Sequence, residues 1–216
     1  MHWMPEILYR FRRVCPNIDV DLRMVDNAIE PFELLEKGRT DVIFAAKQAG
    51  FSCDWTSLCQ DAMYAILPPD YPLDGQETFP IEAFEGKEFL MPYGKFDLDV
   101  KAALSANNVK PKIRPCHVDD ETVIRMVGKG LGLSMMAKMM IRGRTNSVTA
   151  VPIEPATGRE LGMGLHMRES MPDGILRLRE CVGVRILVVE NAREDVVRRT
   201  VQDTLHFEQQ VVVVIL

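Results

Sequence analysis

Ile18-Asp19-Val20-Asp21-Leu22-Arg23-Met24 alternates apolar and polar side chains, and Asp41-Val42-Ile43-Phe44-Ala45-Ala46 is almost wholly apolar. Successive side chains on a strand point to opposite sides, so the first pattern is that of a strand with one buried face. The second suits a strand in a sheet covered on both faces. Between them a helix is expected over about Pro31 to Lys37, with Pro31 tolerated in the first turn and Gly38 closing it. Strand, helix, strand in that order is a parallel crossover unit, which is almost always right-handed.

The same alternation continues in both directions. Upstream, Pro5 suits a first helical turn, Met4, Ile7, Leu8, Phe11 and Val14 make an apolar stripe, and Pro16 ends it. Downstream, Cys53 and Cys59 read as two small hydrophobes in a loop, and Met63 to Leu67 as a buried strand that Pro68-Pro69 breaks. A second α/β unit then follows: strand Phe89-Leu90-Met91, helix about Asp97 to Ala106, and strand Ile113 to Val118, where Pro115 marks an edge or a bulge. Beyond Ser134 the pattern predicts a Met-rich helix, a loop at Arg142-Gly143-Arg144-Thr145-Asn146, strands at Val148–Ile153 and Leu161–Met167, and a helix near Asp173–Cys181. Alternating strands and helices argue for α/β. Breaks near 68 and 144 suggest two lobes joined by two crossings, with a cleft between them.

Val118-Asp119-Asp120-Glu121-Thr122-Val123-Ile124-Arg125-Met126-Val127-Gly128-Lys129-Gly130-Leu131-Gly132-Leu133-Ser134 is the richest single stretch. Asp119 can cap a helix by accepting from a free N–H of its first turn. Val123, Ile124, Met126 and Val127 form the apolar stripe. Gly128 and Gly130 suit the helix end, and Gly132 leaves room for a close approach to the backbone. A helix N-terminus favours anions, yet Asp119, Asp120 and Glu121 already occupy this one. The bland reading is that they cap the helix and complement its dipole; if they face a ligand, that ligand is neutral or cationic.

Composition narrows the function. With 47% hydrophobic and 26% charged residues the chain is an ordinary globular one. A net charge of −5, from 26 basic and 31 acidic residues, disfavours nucleic-acid binding by this chain alone. The 5 cysteines are odd in number and scattered, no C-x-x-C occurs, and the 4 histidines stand far apart. No metal and no cofactor is therefore expected, and a reducing cytoplasm is the simplest compartment. No signal peptide appears, and no apolar run reaches the roughly 18 residues of a membrane span, so no membrane partner is expected. Catalysis has little support: G-x-S-x-G, H-E-x-x-H and Walker patterns are missing, Gly162-Met163-Gly164 lacks the rest of a nucleotide fingerprint, and His117 and His166 have no evident nucleophile.

Five motifs in order resemble one known family. Met4-Pro5-Glu6-Ile7-Leu8-Tyr9-Arg10-Phe11 with Cys15-Pro16-Asn17-Ile18-Asp19-Val20 is similar to its opening helix and strand. Leu34-Leu35-Glu36-Lys37-Gly38-Arg39-Thr40-Asp41-Val42-Ile43 follows its "L-x-x-G-x-x-D-hydrophobic". Leu67-Pro68-Pro69-Asp70-Tyr71-Pro72-Leu73 follows "L-P-x-x-H-P-L", with Tyr71 in the histidine's place, and Val127 to Leu133 follows "V-x-x-G-x-G-hydrophobic". Over about residues 4 to 182 the chain resembles the effector-binding domain of LysR-type transcriptional regulators.

That resemblance implies a two-lobe, periplasmic-binding-protein-like (type 2) α/β fold, each lobe a mixed sheet flanked by helices. Residues 1–67 with 145–182 would form the first lobe and 68–144 the second. A small-molecule effector is expected in the inter-lobe cleft, lined by Asn27, Ala28, Tyr93, Gly94, Lys95, Asp119, Asp120, Gly130, Leu131 and Gly132. Tyr93 offers a stacking face and a hydroxyl, and Lys95 a partner for a carboxylate; an ordinary surface turn is the plain alternative. Binding would shift a population between lobe arrangements. Homodimers or tetramers are implied, with contact through the first helix and a sheet edge. DNA would be reached only through a helix-turn-helix domain not in these residues. A solute-binding protein of a transport system shares the architecture and is the other reading; a small enzyme on the same scaffold is a third.

Two departures stand out. The family's first strand, with its Ser/Thr-bearing turn, would precede Met4, where three residues remain. Residues 183–216 do not continue the pattern: Val184–Val189 reads as a strand, Ala192–Phe207 as a helix and Val211–Leu216 as a strand. This tail either pairs where the first strand would lie or begins something else, and its last residues are prone to β-aggregation if unpaired.

Overall fold

A computed structural model describes residues 4–25, 28–92, 98–167, 172–190 and 209–215. The chain forms two compact units, Met1–Cys59 with Leu161–Leu216, and Gln60–Glu160. The two crossings thus lie at 59–60 and 160–161, not near 68 and 144. The reason is β3, Asp54–Leu67, which runs unbroken through the first crossing; Pro68-Pro69 ends that strand rather than a lobe.

The first unit is built from α1 (Met4–Val14), β1 (Ile18–Met24), α2 (Glu30–Glu36), β2 (Val42–Ala46), the start of β3, the end of β9 (Gly158–Leu165), α6 (Asp173–Glu190) and β10 (Gln209–Ile215). Its strands lie in the order β1-β10-β2-β9-β3, with β10 parallel to β1 and β2, and β9 antiparallel to β2. Every residue of β2 is buried, and its alternation divides them between two cores. Val42 and Phe44 pack with Met4, Ile7 and Phe11 of α1 and Ile175 and Leu178 of α6. Ile43 and Ala45 pack with Phe32 and Leu35 of α2. Burying a side chain of the size of Ile7 or Phe11 contributes about 1.5–3 kcal/mol, which fastens α1 far more firmly than its Glu6–Arg10 ion pair does.

The second unit holds the rest of β3, β4 (Phe79–Pro80), a 3-10 turn at Ile81–Phe84, β5 (Glu88–Met91), α3 (Leu98–Ala106), β6 (Lys112–Pro115), α4 (Asp120–Gly128), β7 (Ser134–Ala137), α5 (Lys138–Ile141), β8 (Thr149–Glu154) and the start of β9. β7 and β8 both run antiparallel to β3, and β6 runs parallel to β5. The two-faced logic recurs. Ala65, Leu67, Phe89 and Met91 enter one core with Phe79, Phe84 and Val100, whereas Ile66 and Leu90 enter the other with Val123, Ile124 and Val127 of α4. The rings of Phe79, Phe84 and Phe89 stand 4.8 and 5.3 Å apart in succession.

Several expectations change. Cys59 lies in β3 rather than in a loop, and the Met-rich stretch opens as β7, not as a helix. Met135 and Met136 are buried because their strand is covered on both sides. Val184–Val189 belongs to the last turns of α6 instead of a strand. The predicted helix Ala192–Phe207 lies outside the described residues. Among the described residues no helix is long and apolar enough to cross a membrane.

Candidate functional site

The parallel strands of the second unit define one edge. β5 and β6 register from Glu88 with Lys112 to Met91 with Pro115, and Cys116 continues the ladder by donating its N–H to the Met91 carbonyl at 2.8 Å. Leu133, which leads into β7, bridges Phe89 in the parallel sense: its N–H donates to the Glu88 carbonyl and its carbonyl accepts from Leu90 N–H, each at 2.8 Å. Ser134, wholly buried, adds a hydroxyl bond to the Leu90 carbonyl at 2.8 Å. The carboxyl ends of β6, β5 and β7 therefore share one edge, the place where open α/β sheets hold ligands.

At that edge β6 leads to the N-terminus of α4. Asp119 caps the helix, its carboxylate accepting from Thr122 N–H at 2.9 Å. The bond favours the charged form and holds the Asp119 carboxyl below the usual carboxylate range. Glu121 is engaged by Arg125 at 3.0 Å and Arg144 at 3.6 Å, and Asp120 is buried at 5% exposure. Two of the three acids are thus committed to the helix and its neighbouring cations, as the capping reading expects.

The remaining expected residues divide. Tyr93, Gly94 and Lys95, which follow β5, lie outside the described residues, as does Asn27. Ala28 is half-buried in the bend that leads into α2, in the first unit. Gly130, Leu131 and Gly132 are not brought to the Asp119 end; the helix between spans roughly 13 Å at 1.5 Å per residue. Gly130 takes φ 74° where α4 ends, and its N–H donates to the Val127 carbonyl at 2.8 Å. A Cβ on Gly132 would lie 3.0 Å from the Glu88 carbonyl oxygen and 3.1 Å from Leu90 Cγ. What approaches Gly132 so closely is β5, at its amino end. Leu131 between the two glycines is 50% exposed.

Some residues at the edge were not anticipated. Lys138 follows β7 directly, is exposed, and holds its Nζ 5.7 Å from the centre of the Tyr64 ring. The next residue, Met139, donates its N–H to Asp61 Oδ1 at 2.9 Å. Asp61 Oδ2 accepts from Arg159 Nε at 3.2 Å, and Arg159 Nη1 reaches Asp99 on α3 at 3.1 Å. The Asp61 side chain is 1% exposed, so this network ties β3, β9, α3 and α5 together away from water. The sequence signal was an acid inside a strand; its partner depends on a register that sequence patterning does not supply. Among the described residues, no group of three or more His, Cys, Asp or Glu could hold a metal ion.

Comparison with known proteins places this architecture. The regulatory domain of CcmR from Synechocystis PCC6803, in complex with 2-PG, superposes with a TM-score of 0.72 at 19% identity, covering 85% of this chain and 91% of that one. The BenM effector-binding domain with its effector benzoate gives a TM-score of 0.72 at 19% identity, over 94% and 92%. At such identities the likeness is one of fold. In sequence, the HTH-type transcriptional regulator TtuA of Agrobacterium vitis is 24% identical over 165 residues, 73% of this chain and 54% of TtuA. The chain spans about half the length of the curated relatives it matches. Residues 1–185 match the LysR substrate binding domain, and the chain belongs to that family, with its type 2 periplasmic-binding-protein-like fold.

Proposed function

We propose that this chain senses a small-molecule effector for a LysR-type transcriptional regulator, and that the effector docks on the carboxyl edge of β5, β6 and β7. The observation that supports the site is the convergence of three parallel strand ends, with a capped helix N-terminus following one of them. Tyr93, Gly94 and Lys95 after β5, Asp119 and Asp120 after β6, and Lys138 after β7 are the residues assigned to it. Asn27 and Ala28, which follow β1 in the sequence, are the residues assigned from the first unit. Gly130, Leu131 and Gly132 serve it indirectly, by setting how β7 meets β5. Known neighbours carry small molecules, benzoate in BenM among them, and the chain is proposed to bind one without turning it over. The ligand acts by differential affinity for two conformations, and shifts their balance by no more than that difference.

The regulator's DNA contacts are assigned to a helix-turn-helix domain outside these residues, and its compartment to the cytoplasm. Self-association is assigned to α1 and the edge strand β1, as a dimer or tetramer. Tyr9, Leu22 and Met24 are 60%, 42% and 76% exposed there, beside a groove of about 440 Å³ lined by Phe11, Arg12, Ile18 and Val20. A thermal-shift screen of the purified chain against small acids, aromatic metabolites, amino acids and amines tests the central reading. A ligand at a hundred times its dissociation constant adds about 2.7 kcal/mol. A selective, saturable hit supports a sensing site; a folded chain with no hit across these classes contradicts it.

A further inference from the structure

The sheet of the first unit is completed by a segment that lies beyond the family match. That match ends at residue 185, whereas β10 is Gln209–Ile215, and it lies between β1 and β2 rather than at an edge. Its register with β1 runs the whole strand, from Ile18 with Gln209 to Met24 with Ile215. On its other side Val213, Val214 and Ile215 register with Val42, Ile43 and Phe44. Both pairings are parallel. Val213 is wholly buried, in the same core as Met4, Ile7 and Phe11 of α1 and Ile175 and Leu178 of α6.

Two consequences follow from the position. β1 is the end strand of its sheet, so β10 is its one strand partner among the described residues. The main-chain attachment of β1 to the sheet therefore passes through β10, beside the packing of Ile18 and Val20 on the core that also holds Val213. In addition, Val211 to Ile215 is a β-branched run with neither charge nor proline, the composition that favours β-aggregation when a strand is left unpaired. Docking covers one edge of this run along its whole length and the other at Val213–Ile215.

We infer that the interval between β1 and β2 is an acceptor site for an extended, β-branched, apolar strand running parallel to both, and that residues 209–215 fill it as a separable donor. The order of β1 is then conditional on the tail, whereas the second unit is independent of it. Main-chain hydrogen bonds to β1 and β2 supply affinity, and the fit of Val213 in the core supplies register, the division of labour seen wherever a strand is added to a sheet.

The test uses the whole chain, folded and then cut at a protease site placed within residues 191–208. The expected result is that the fragment carrying 209–216 co-elutes with the body on gel filtration. A labelled peptide of that sequence, made soluble by added lysines, should then replace it. A fragment that leaves while the amides of β1 remain as protected as before would overturn the inference. In the uncut chain, Val213→Asp should remove amide protection from Ile18–Met24 while Glu88–Met91 of β5 stay protected. Loss of protection in both segments together, or in neither, would overturn the claim that the donor is separable.

Discussion

Gly162→Ala should disrupt the first unit, although it adds one methyl group. Gly162 stands in β9 beneath Trp55 of β3. A Cβ there would run into Trp55 Cζ2 and Cε2 and lie 2.7 Å from the Thr56 carbonyl oxygen. Neither obstacle is the free end of a flexible side chain: one is a rigid ring, the other backbone. Trp55 in turn stacks on Phe32 at 6.0 Å, and Phe32 on Phe51 at 5.0 Å. Overpacking of a filled site costs about 1–3 kcal/mol. Displacing the indole forfeits an aromatic pairing worth about 0.5–1.5 kcal/mol. A total of about 2–4 kcal/mol, at about 2–4 °C for each, lowers the Tm by roughly 5–15 °C. Circular dichroism reads that shift, and in a Trp3→Phe background the emission of Trp55 should move to longer wavelength. A Tm within about 1 °C of the parent with unchanged emission would refute the packing argument.

Gly183→Ala is the opposite case: it lies in α6 with nothing within 4 Å of a new Cβ, and should stabilise by about 1 kcal/mol in a melting experiment. Arg159→Met leaves the buried Asp61 carboxylate without its cation and should cost about 3–5 kcal/mol by denaturant titration, whereas an exposed pair such as Lys37–Glu33 should be nearly neutral to removal. Asp119→Ala removes the cap of α4 and should lower the Tm by roughly 2–4 °C at neutral pH. Because the folded state holds the Asp119 carboxyl below its ordinary value, that contribution is fully present above the ordinary carboxylate pKa and is lost as pH falls through the folded one. The difference between parent and Asp119→Ala should therefore shrink below about pH 4; a gap that widened there would contradict the cap. Burial raises the Cys181 thiol above its usual pKa, so alkylation near neutral pH should lag far behind that of the unfolded chain, and equal rates would contradict its placement.

The elements with a clear period were legible from sequence alone. Ile18–Met24 is a strand at its expected bounds, Asp119 caps α4 as its position implied, and the all-apolar run at Val42–Ala46 is covered on both faces. What misled was local pattern without knowledge of neighbours. Met135-Met136 looks helical until β3 pairs beside it, and Val184–Val189 looks like a strand until α6 is extended through it. The glycines of Gly162-Met163-Gly164 have a packing reason: a Cβ would meet Trp55 at Gly162 and Ile43 at Gly164. At the proposed site, patterning pointed to the residues after β5 and β6 but not to Lys138 after β7. Recognising a shared carboxyl edge requires the parallel bridge between Phe89 and Leu133, and that contact joins residues far apart in sequence.

Hydrogen–deuterium exchange of the chain with and without the strongest ligand from the screen tests the central claim most directly. Docking on the carboxyl edge predicts slowed exchange in the amides that follow β5, β6 and β7, from Tyr93 onward, over Cys116–Glu121, and at Lys138–Met139, while Gly130–Gly132 change little. Protection confined to Gly130–Gly132 or to the α1–β1 groove, with the three strand ends unaffected, would contradict it.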